Sequence, residues 1–191
     1  MSFMRVFIIA LMAIGCLVGC SNHYTPLPRG YFRIELPAKE YQLLDSVFPY
    51  RFNYPVYSKV VPDADAPNEP YWVNIVFPRF NSTIHISYKQ LSNNIDEVME
   101  DSRKLAYKHS IKADAIGERF FQDEEHHVYG ILYEIKGNAA SPLQFAVTDS
   151  SRHFLRGALY FNSIPNKDSL APVIDFIKED MMQLMESVSW K

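Results

Sequence analysis

Five consecutive residues, Asp149 to His153, contain the carboxylate, hydroxyl and imidazole groups that hydrolases combine in a catalytic triad. A triad is a spatial arrangement that is usually assembled from separate loops, and five contiguous residues cannot easily form its hydrogen-bond relay. The sequence also contains no Gly-x-Ser-x-Gly nucleophile elbow. We therefore predict a polar turn between two strands here and keep a hydrolase only as a third hypothesis.

A second cluster, Asp123 to His127, contains carboxylates and imidazoles, which are ligands for zinc and related metals. Adjacent residues of a strand point to opposite sides, and metal sites usually draw on separated elements. We predict a charged hairpin tip and no metal ligand. His85 and His109 are predicted to be surface or capping residues, and no glycine pattern indicates a phosphate-binding loop. The sequence predicts no catalytic residue and no cofactor.

The most specific chemical motif lies near the start of the chain. The apolar run Val6–Ile14 is too short for a permanent membrane span and is typical of a cleaved signal peptide. Leu17, Val18, Gly19 and Cys20 follow it in the order of a bacterial lipobox. A cysteine is required there because its thiolate takes the diacylglycerol. We predict a signal peptide over residues 1–19 and lipid attachment at Cys20; the alternative is a plain signal peptide with a chance cysteine.

Composition narrows the function classes further. The 191 residues are 48 % hydrophobic and 21 % charged with a formal net charge of −3, which is typical of a globular protein. A disordered, collagen-like or basic nucleic-acid-binding chain is therefore excluded. Cleavage would remove Cys16, and acylation would use Cys20. With no thiol left, the mature chain has no disulfide, cysteine nucleophile or Cys-His metal site.

Prolines and aromatic residues are concentrated in the first part of the chain. Nine of the 12 prolines lie between residues 26 and 78, and Pro26 and Pro28 favour an extended path. Residues 20–45 are predicted to form a lipidated N-terminus and a proline-rich tether.

Surface tyrosine and tryptophan are typical of protein–protein contacts. The hypothetical partner-binding residues are Arg29, Tyr31, Phe32, Arg33, Tyr71 and Trp72.

Apolar periodicity over residues 46–191 predicts one α+β domain. Two helices are expected, one after Asn94 and one from about Asp168. Short connections favour antiparallel pairing, and strands that are apolar on both faces need cover on both sides. We predict a single, mostly antiparallel sheet covered by two helices in three α-β-α layers. By pattern, this order resembles the photosystem II PsbP protein and the Ran-binding Mog1 protein. The predicted strands are 50–57, 72–77, 83–89, 115–122, 128–136, 143–148 and 154–162.

Three segments carry a resemblance to a known family: the lipobox cysteine Cys20, residues 28–34 (PRGYFRI), and residues 148–161 (TDSSRHFLRGALYF). Together they resemble the gliding-motility lipoprotein GldD family of the Bacteroidota. The resemblance implies a cell-envelope lipoprotein needed for gliding and associated with type IX protein secretion. It implies no catalytic residue and no cofactor.

The leading hypothesis is a non-enzymatic docking or assembly component that is anchored in the outer membrane through N-terminal acyl chains. Its expected partners are other gliding or type IX secretion proteins of the envelope, with no nucleic acid and no identified small-molecule substrate. The uncharged residues Ser21–Tyr24 favour a domain that faces the periplasm. The alternative is a periplasmic binding module for a small molecule or glycan.

Overall fold

A computed structural model describes residues 34–108 and 113–191, and these contain ten strands, two α-helices and a 3-10 turn over Pro78–Phe80. The helices are α1 (Ile95–Tyr107) and α2 (Lys167–Glu186). The strands are β1 (Tyr41–Leu44), β2 (Tyr50–Pro55), β3 (Lys59–Pro62), β4 (Val73–Phe77), β5 (Ser82–Gln90), β6 (Ala113–Asp123), β7 (Val128–Gly137), β8 (Leu143–Thr148), β9 (His153–Phe161) and β10 (Ser189–Trp190).

Every strand pair of the described chain is antiparallel, which confirms the α+β class. Seven strands form one sheet in the order β3-β4-β5-β9-β8-β7-β6, and β1, β2 and β10 form a second, small sheet. The prediction of a single sheet was therefore wrong. The reason is that β2 pairs with β1 and β10, which have four and two residues and are too short to show an alternating pattern.

The large sheet is apolar on both faces, as predicted, and each face carries one helix. Leu132, Phe145 and Leu155 lie in a core with α2 and β2. Their neighbours Ile131 and Phe154 lie in a second core with α1. Successive residues of a strand point to opposite faces, so Leu132 and its neighbour Ile131 lie on opposite sides of the sheet. Each side therefore packs against one helix. The three-layer arrangement is thus confirmed.

The two helices begin where the sequence indicates, with one difference in capping. The side chain of Asn166 accepts a hydrogen bond from the Ser169 amide and caps α2. Asn94 occupies the capping position of α1, but its side chain accepts a 2.9 Å hydrogen bond from the Ser92 amide instead. In the described residues, neither helix is long and apolar enough to cross a membrane.

The domain begins earlier than the predicted boundary at residue 46. Residues Ile34–Lys191 form one compact unit, and Tyr41–Leu44, which the sequence places in the tether, pair with β2. Residues 41–44 contain no local sequence pattern that predicts a strand. They are held in place by pairing with β2 and by a hydrogen bond from the Tyr41 hydroxyl to Asp180, which lies 139 positions further along the chain. The predicted signal peptide and the first part of the tether, residues 20–33, lie outside the described residues.

Candidate functional site

Of the residues predicted to act in attachment or partner binding, only two lie within the described part of the chain. Tyr71 and Trp72 are adjacent, just before β4. The predicted lipid-attachment residue and the other hypothetical partner-binding residues lie outside the described residues; they are Cys20, Arg29, Tyr31, Phe32 and Arg33.

Tyr71 belongs to a cluster of four rings, Phe48, Tyr50, Tyr71 and Tyr88, which we call the aromatic corner. The Tyr71 ring packs edge-to-face with Phe48 and with Tyr88, at centroid distances of 6.5 and 5.7 Å. Its carbonyl oxygen accepts a 2.7 Å hydrogen bond from the hydroxyl of Tyr50. Burial raises the pKa of Tyr50, which keeps this hydroxyl a donor. Tyr71 is 38 % exposed, so a packed support holds it at the surface.

The loop over residues 45–49 contains Phe48 of the aromatic corner and is hydrogen-bonded to Lys191. Lys191 donates a 2.7 Å hydrogen bond from Nζ to Asp45 and a 3.0 Å bond from its amide to the Pro49 carbonyl oxygen. The bond from Lys191 also lowers the pKa of Asp45. Between these two anchor points, Val47 is 88 % exposed. The sequence does not indicate Val47, because one valine in an irregular segment shows no periodicity.

Trp72 has different surroundings from Tyr71. Its indole Nε1 donates a 2.9 Å hydrogen bond to the Tyr88 carbonyl oxygen, and the side chain is half-buried. The indole also lines a cleft of about 250 Å³ between α1 and the large sheet. Adjacent residues thus contribute to two different sites: Tyr71 to the aromatic corner and Trp72 to this cleft.

This cleft, which we call the α1 cleft, has a charged floor. Arg156 of β9 and Ser102 of α1 line it, together with His85 and Lys89 of β5. Arg156 was not among the predicted site residues, although the sequence contains one signal for it: it is a charged residue inside the apolar run of β9. A lone charge in a strand that is buried on both faces indicates either a partner or a ligand.

The two motifs with candidate chemistry, Asp123–His127 and Asp149–His153, lie at neighbouring hairpin tips and share one open groove. His126, His127, Asp149, Ser151 and Trp190 line this groove of about 490 Å³. The sequence did not predict that the two motifs would meet. They meet because β6-β7 and β8-β9 are neighbouring hairpins of one sheet and turn at the same end.

The contacts of Asp149 are those of a polar turn. Its Oδ1 accepts hydrogen bonds from the amides of Ser151, Arg152 and His153 at 2.8–3.0 Å, and its Oδ2 accepts one from the Ser151 hydroxyl. Burial opposes ionisation here, but these bonds outweigh it and lower the pKa of Asp149. The carboxylate therefore caps its own turn.

His153 is also engaged away from the serines. Its Nδ1 lies 2.9 Å from the Tyr88 hydroxyl, and its ring stacks on Trp190 at a centroid distance of 5.3 Å. Burial lowers the pKa of His153, so the ring is neutral near pH 7. Within the described hydrogen bonds, neither serine of the turn contacts this imidazole. The arrangement has the parts of a triad without its relay.

The charged hairpin tip is held in a similar way. His126 Nδ1 lies 2.9 Å from Asp123 Oδ2, and this bond raises the pKa of His126 and lowers that of Asp123. Across residues 34–108 and 113–191, no group of three or more His, Cys, Asp or Glu side chains could hold a metal ion.

One buried carboxylate was missed by the sequence analysis altogether. Asp180 of α2 is 1 % exposed and accepts hydrogen bonds from Lys39 Nζ at 2.7 Å, Tyr41 at 3.0 Å and Tyr57 at 2.7 Å. Burial, reinforced by this carboxylate, raises the pKa of both tyrosines. We call this group the Asp180 clasp, since it joins the start of the described chain to the last helix. An aspartate on the buried face of α2 was the signal.

Comparisons with known proteins bear on the family of this chain. The solution structure of the cyanobacterial PsbP protein CyanoP from Synechocystis sp. PCC 6803 matches 82 % of this chain and 95 % of its own, at 11 % identity and a TM-score of 0.47. No match was found among curated proteins. The model of the family described as gliding motility lipoprotein GldD matches residues 21–190. Because that match spans nearly the whole sequence, this chain belongs to the gliding motility lipoprotein GldD family.

Proposed function

We propose that this gliding motility lipoprotein is a non-enzymatic docking or assembly component of the gliding machinery and of the associated type IX secretion system. Acyl chains on Cys20 hold it in the outer membrane, with the domain facing the periplasm. Family membership supports the gliding and lipoprotein parts of this proposal. The lipobox and the uncharged residues Ser21–Tyr24 support the anchor and the facing.

The observation that carries the docking role is the exposure of Val47 and Tyr71, which are linked through Phe48: Val47 precedes Phe48 in the chain, and the Tyr71 ring packs against it. Lys191 holds the loop on both sides of Val47, and Phe48 supports the Tyr71 ring. A surface that is already ordered loses little side-chain entropy when a partner covers it. Tyrosine is enriched at the centres of such contacts, where water is excluded. This surface is therefore the proposed docking face.

Replacing Val47 by aspartate is expected to weaken capture of the envelope partner at least tenfold, because a charge would have to be desolvated in the contact. The measurement is crosslinking in intact cells followed by purification of the full lipoprotein and quantification of the co-purified envelope proteins. Since Val47 is 88 % exposed, the free energy of unfolding should change by less than about 0.5 kcal/mol.

A matched control is Ile164→Asp, because Ile164 is 90 % exposed in the loop before α2. This variant should capture the partner like the unmodified protein. If Val47→Asp captured as much partner as Ile164→Asp and the unmodified protein, the proposed docking face would be contradicted. If both variants lost capture to the same extent, the loss would be a general effect of the added charge, and the docking face would again be contradicted.

The anchor is tested separately by metabolic labelling with an alkyne fatty acid. The unmodified chain should incorporate the label, and Cys20→Ala should incorporate none, because alanine has no thiolate to acylate. Total protein is measured on the same blot as the control for expression. A labelled Cys20→Ala chain would show that acylation occurs elsewhere and would overturn the assignment of Cys20.

A second candidate function is favoured by one specific observation, the α1 cleft. A concave site lined by both apolar and polar side chains is the usual form of a small-molecule site. The protein would then be a periplasmic binding module for a small molecule or glycan. Ligand binding to the purified chain tests this function, whereas partner capture tests docking, so either can fail alone.

A further inference from the structure

Arg156 is a cation without a carboxylate partner among the described residues. Its guanidinium donates from Nη2 to the side-chain oxygen of Gln144, and no ion pair of the described chain includes it. Burial lowers the pKa of Arg156, although Tyr160 and Tyr133 oppose the effect. A cation that has lost part of its hydration and gained no anion has an unmet electrostatic requirement.

Several hydrogen-bond donors around Arg156 are also unused. Arg156 Nε, Gln144 Nε2 and Ser102 Oγ are buried atoms with no hydrogen-bond partner in the described structure. Arg156 and Ser102 line the α1 cleft from opposite walls, one on the sheet and one on α1, and Gln144 is bonded to Arg156. Buried donors are normally satisfied, so two on the cleft walls, with a third on the side chain bonded to Arg156, point to an acceptor that enters the cleft.

The two carboxylates of the cleft do not satisfy these donors, because both have partners of their own. Asp101 forms a 3.8 Å ion pair with Lys104. Asp63 Oδ1 accepts a 3.1 Å hydrogen bond from the Asp65 amide and a 3.4 Å bond from the Asn74 side chain. Lys89, which carries a positive charge, also lines the cleft. In the described ion pairs, neither carboxylate is paired with Arg156, so the guanidinium remains without an anion.

The remaining walls are apolar and limit the size of the ligand. Val98 and Leu105 of α1 and Phe154 of β9 line the cleft, whose volume is about 250 Å³. Drug-sized ligands occupy pockets of roughly 300–1,000 Å³, so this cleft suits a smaller molecule. An acidic group and a short apolar part would match the two kinds of wall.

We infer that the α1 cleft is a binding site for a small organic anion. Its carboxylate or phosphate accepts hydrogen bonds from Arg156 and Ser102, and its apolar part lies between α1 and Phe154. Arginine suits this role because its planar guanidinium presents several donors to one oxyanion. This inference rests on the second proposed function and names its ligand class; it is independent of the docking face.

The test is a titration of the full lipoprotein in neutral detergent micelles, followed by NMR of the Arg156 Nε–H group and the Ser102 amide. The probes are phenylphosphonate, benzoate and inorganic phosphate, with benzylamine and benzyl alcohol as the cationic and neutral comparisons. Phenylphosphonate or benzoate should shift both signals saturably and bind at least tenfold more tightly than inorganic phosphate. Benzylamine and benzyl alcohol should leave both signals unchanged.

Arg156→Gln should lower the affinity for the anionic probe at least tenfold, since the neutral amide lacks the charge and the fork of donors. Arg119→Gln is the matched control, because Arg119 is an exposed arginine of β6, and it should bind normally. The titration of the unmodified chain decides the matter even where Arg156→Gln fails to fold.

The outcomes distinguish a wrong ligand class from a wrong assignment of the protein as a binding module. Saturable binding of benzylamine or benzyl alcohol in the cleft, with no response to either organic anion, would overturn the anion assignment and leave the binding-module function standing. No saturable shift with any probe would overturn both. Equal affinities for phenylphosphonate and inorganic phosphate would contradict the inference that the ligand has an apolar, organic part.

Discussion

Replacing Asp180 by alanine is expected to lower the free energy of unfolding by about 3 kcal/mol, because it removes one partner of a buried, hydrogen-bonded charge pair. Asp180 accepts hydrogen bonds from Lys39, Tyr41 and Tyr57. The two tyrosine hydroxyls would lose this acceptor, whereas Lys39 would keep its hydrogen bond to the Phe176 carbonyl oxygen and its 3.7 Å ion pair with Glu179. Lys39 would also keep its cation–π contact, since its ammonium lies 3.4 Å from the centre of the Phe176 ring. The measurement is urea unfolding of the full chain followed by circular dichroism.

Two further variants isolate the cause. Asp175→Ala removes an exposed carboxylate from the same helix and should change the free energy of unfolding by less than about 0.5 kcal/mol. Asp180→Asn keeps an oxygen acceptor while removing the charge, so its loss should be intermediate. If Asp180→Ala were no less stable than Asp175→Ala, the Asp180 clasp would contribute nothing to folding, contrary to this prediction.

Replacing Gly157 by alanine is expected to destabilise the fold by about 3 kcal/mol through overpacking of the core. A β-carbon on Gly157 would lie 2.5 Å from Cζ and 2.8 Å from Cδ1 of Phe145, whose side chain is fully buried. Either the ring must leave its packed position or β8 and β9 must separate, and both changes disturb the centre of the large sheet. Thermal and urea unfolding both measure the loss.

The matched control is another strand glycine with room around it. A β-carbon on Gly117 would meet its nearest neighbours, atoms of Glu134, at 3.9 Å, which is ordinary van der Waals contact. Gly117→Ala should therefore leave the free energy of unfolding unchanged or slightly raised, since alanine restricts the unfolded chain. A similar loss in both variants would rule out the contact with Phe145 as the cause.

The strands that were predicted well are those whose pattern is local and long. The predicted strand 143–148 is observed with the same bounds, β7 differs by one residue at one end, and β5 and β9 differ by one residue at each end. The missed strands β1, β3 and β10 have two to four residues. Short segments become strands through their pairing partners, so their own sequence contains too few alternations to predict them.

The same difference separates the predicted sites from the missed ones. The turn at Asp149 was predicted because its hydrogen bonds join residues two to four positions apart. The Asp180 clasp joins residues separated by 123 to 141 positions, and the α1 cleft combines α1 with β5 and β9. Spacing along a chain says little about distance in space when the residues belong to elements that are paired only by the fold.

The sequence alone determined the class, the family and the expected chemistry of attachment. The lipobox around Cys20, two helical stripes and several alternating strands are local patterns, and each can be read without knowing the fold. Only the tertiary structure decided where β2 pairs, where the domain begins and which charges are buried. Those outcomes depend on pairing and burial between distant residues: Asp180 is satisfied because Lys39 reaches it, and Arg156 is left without an anion because no carboxylate within residues 34–108 and 113–191 pairs with it.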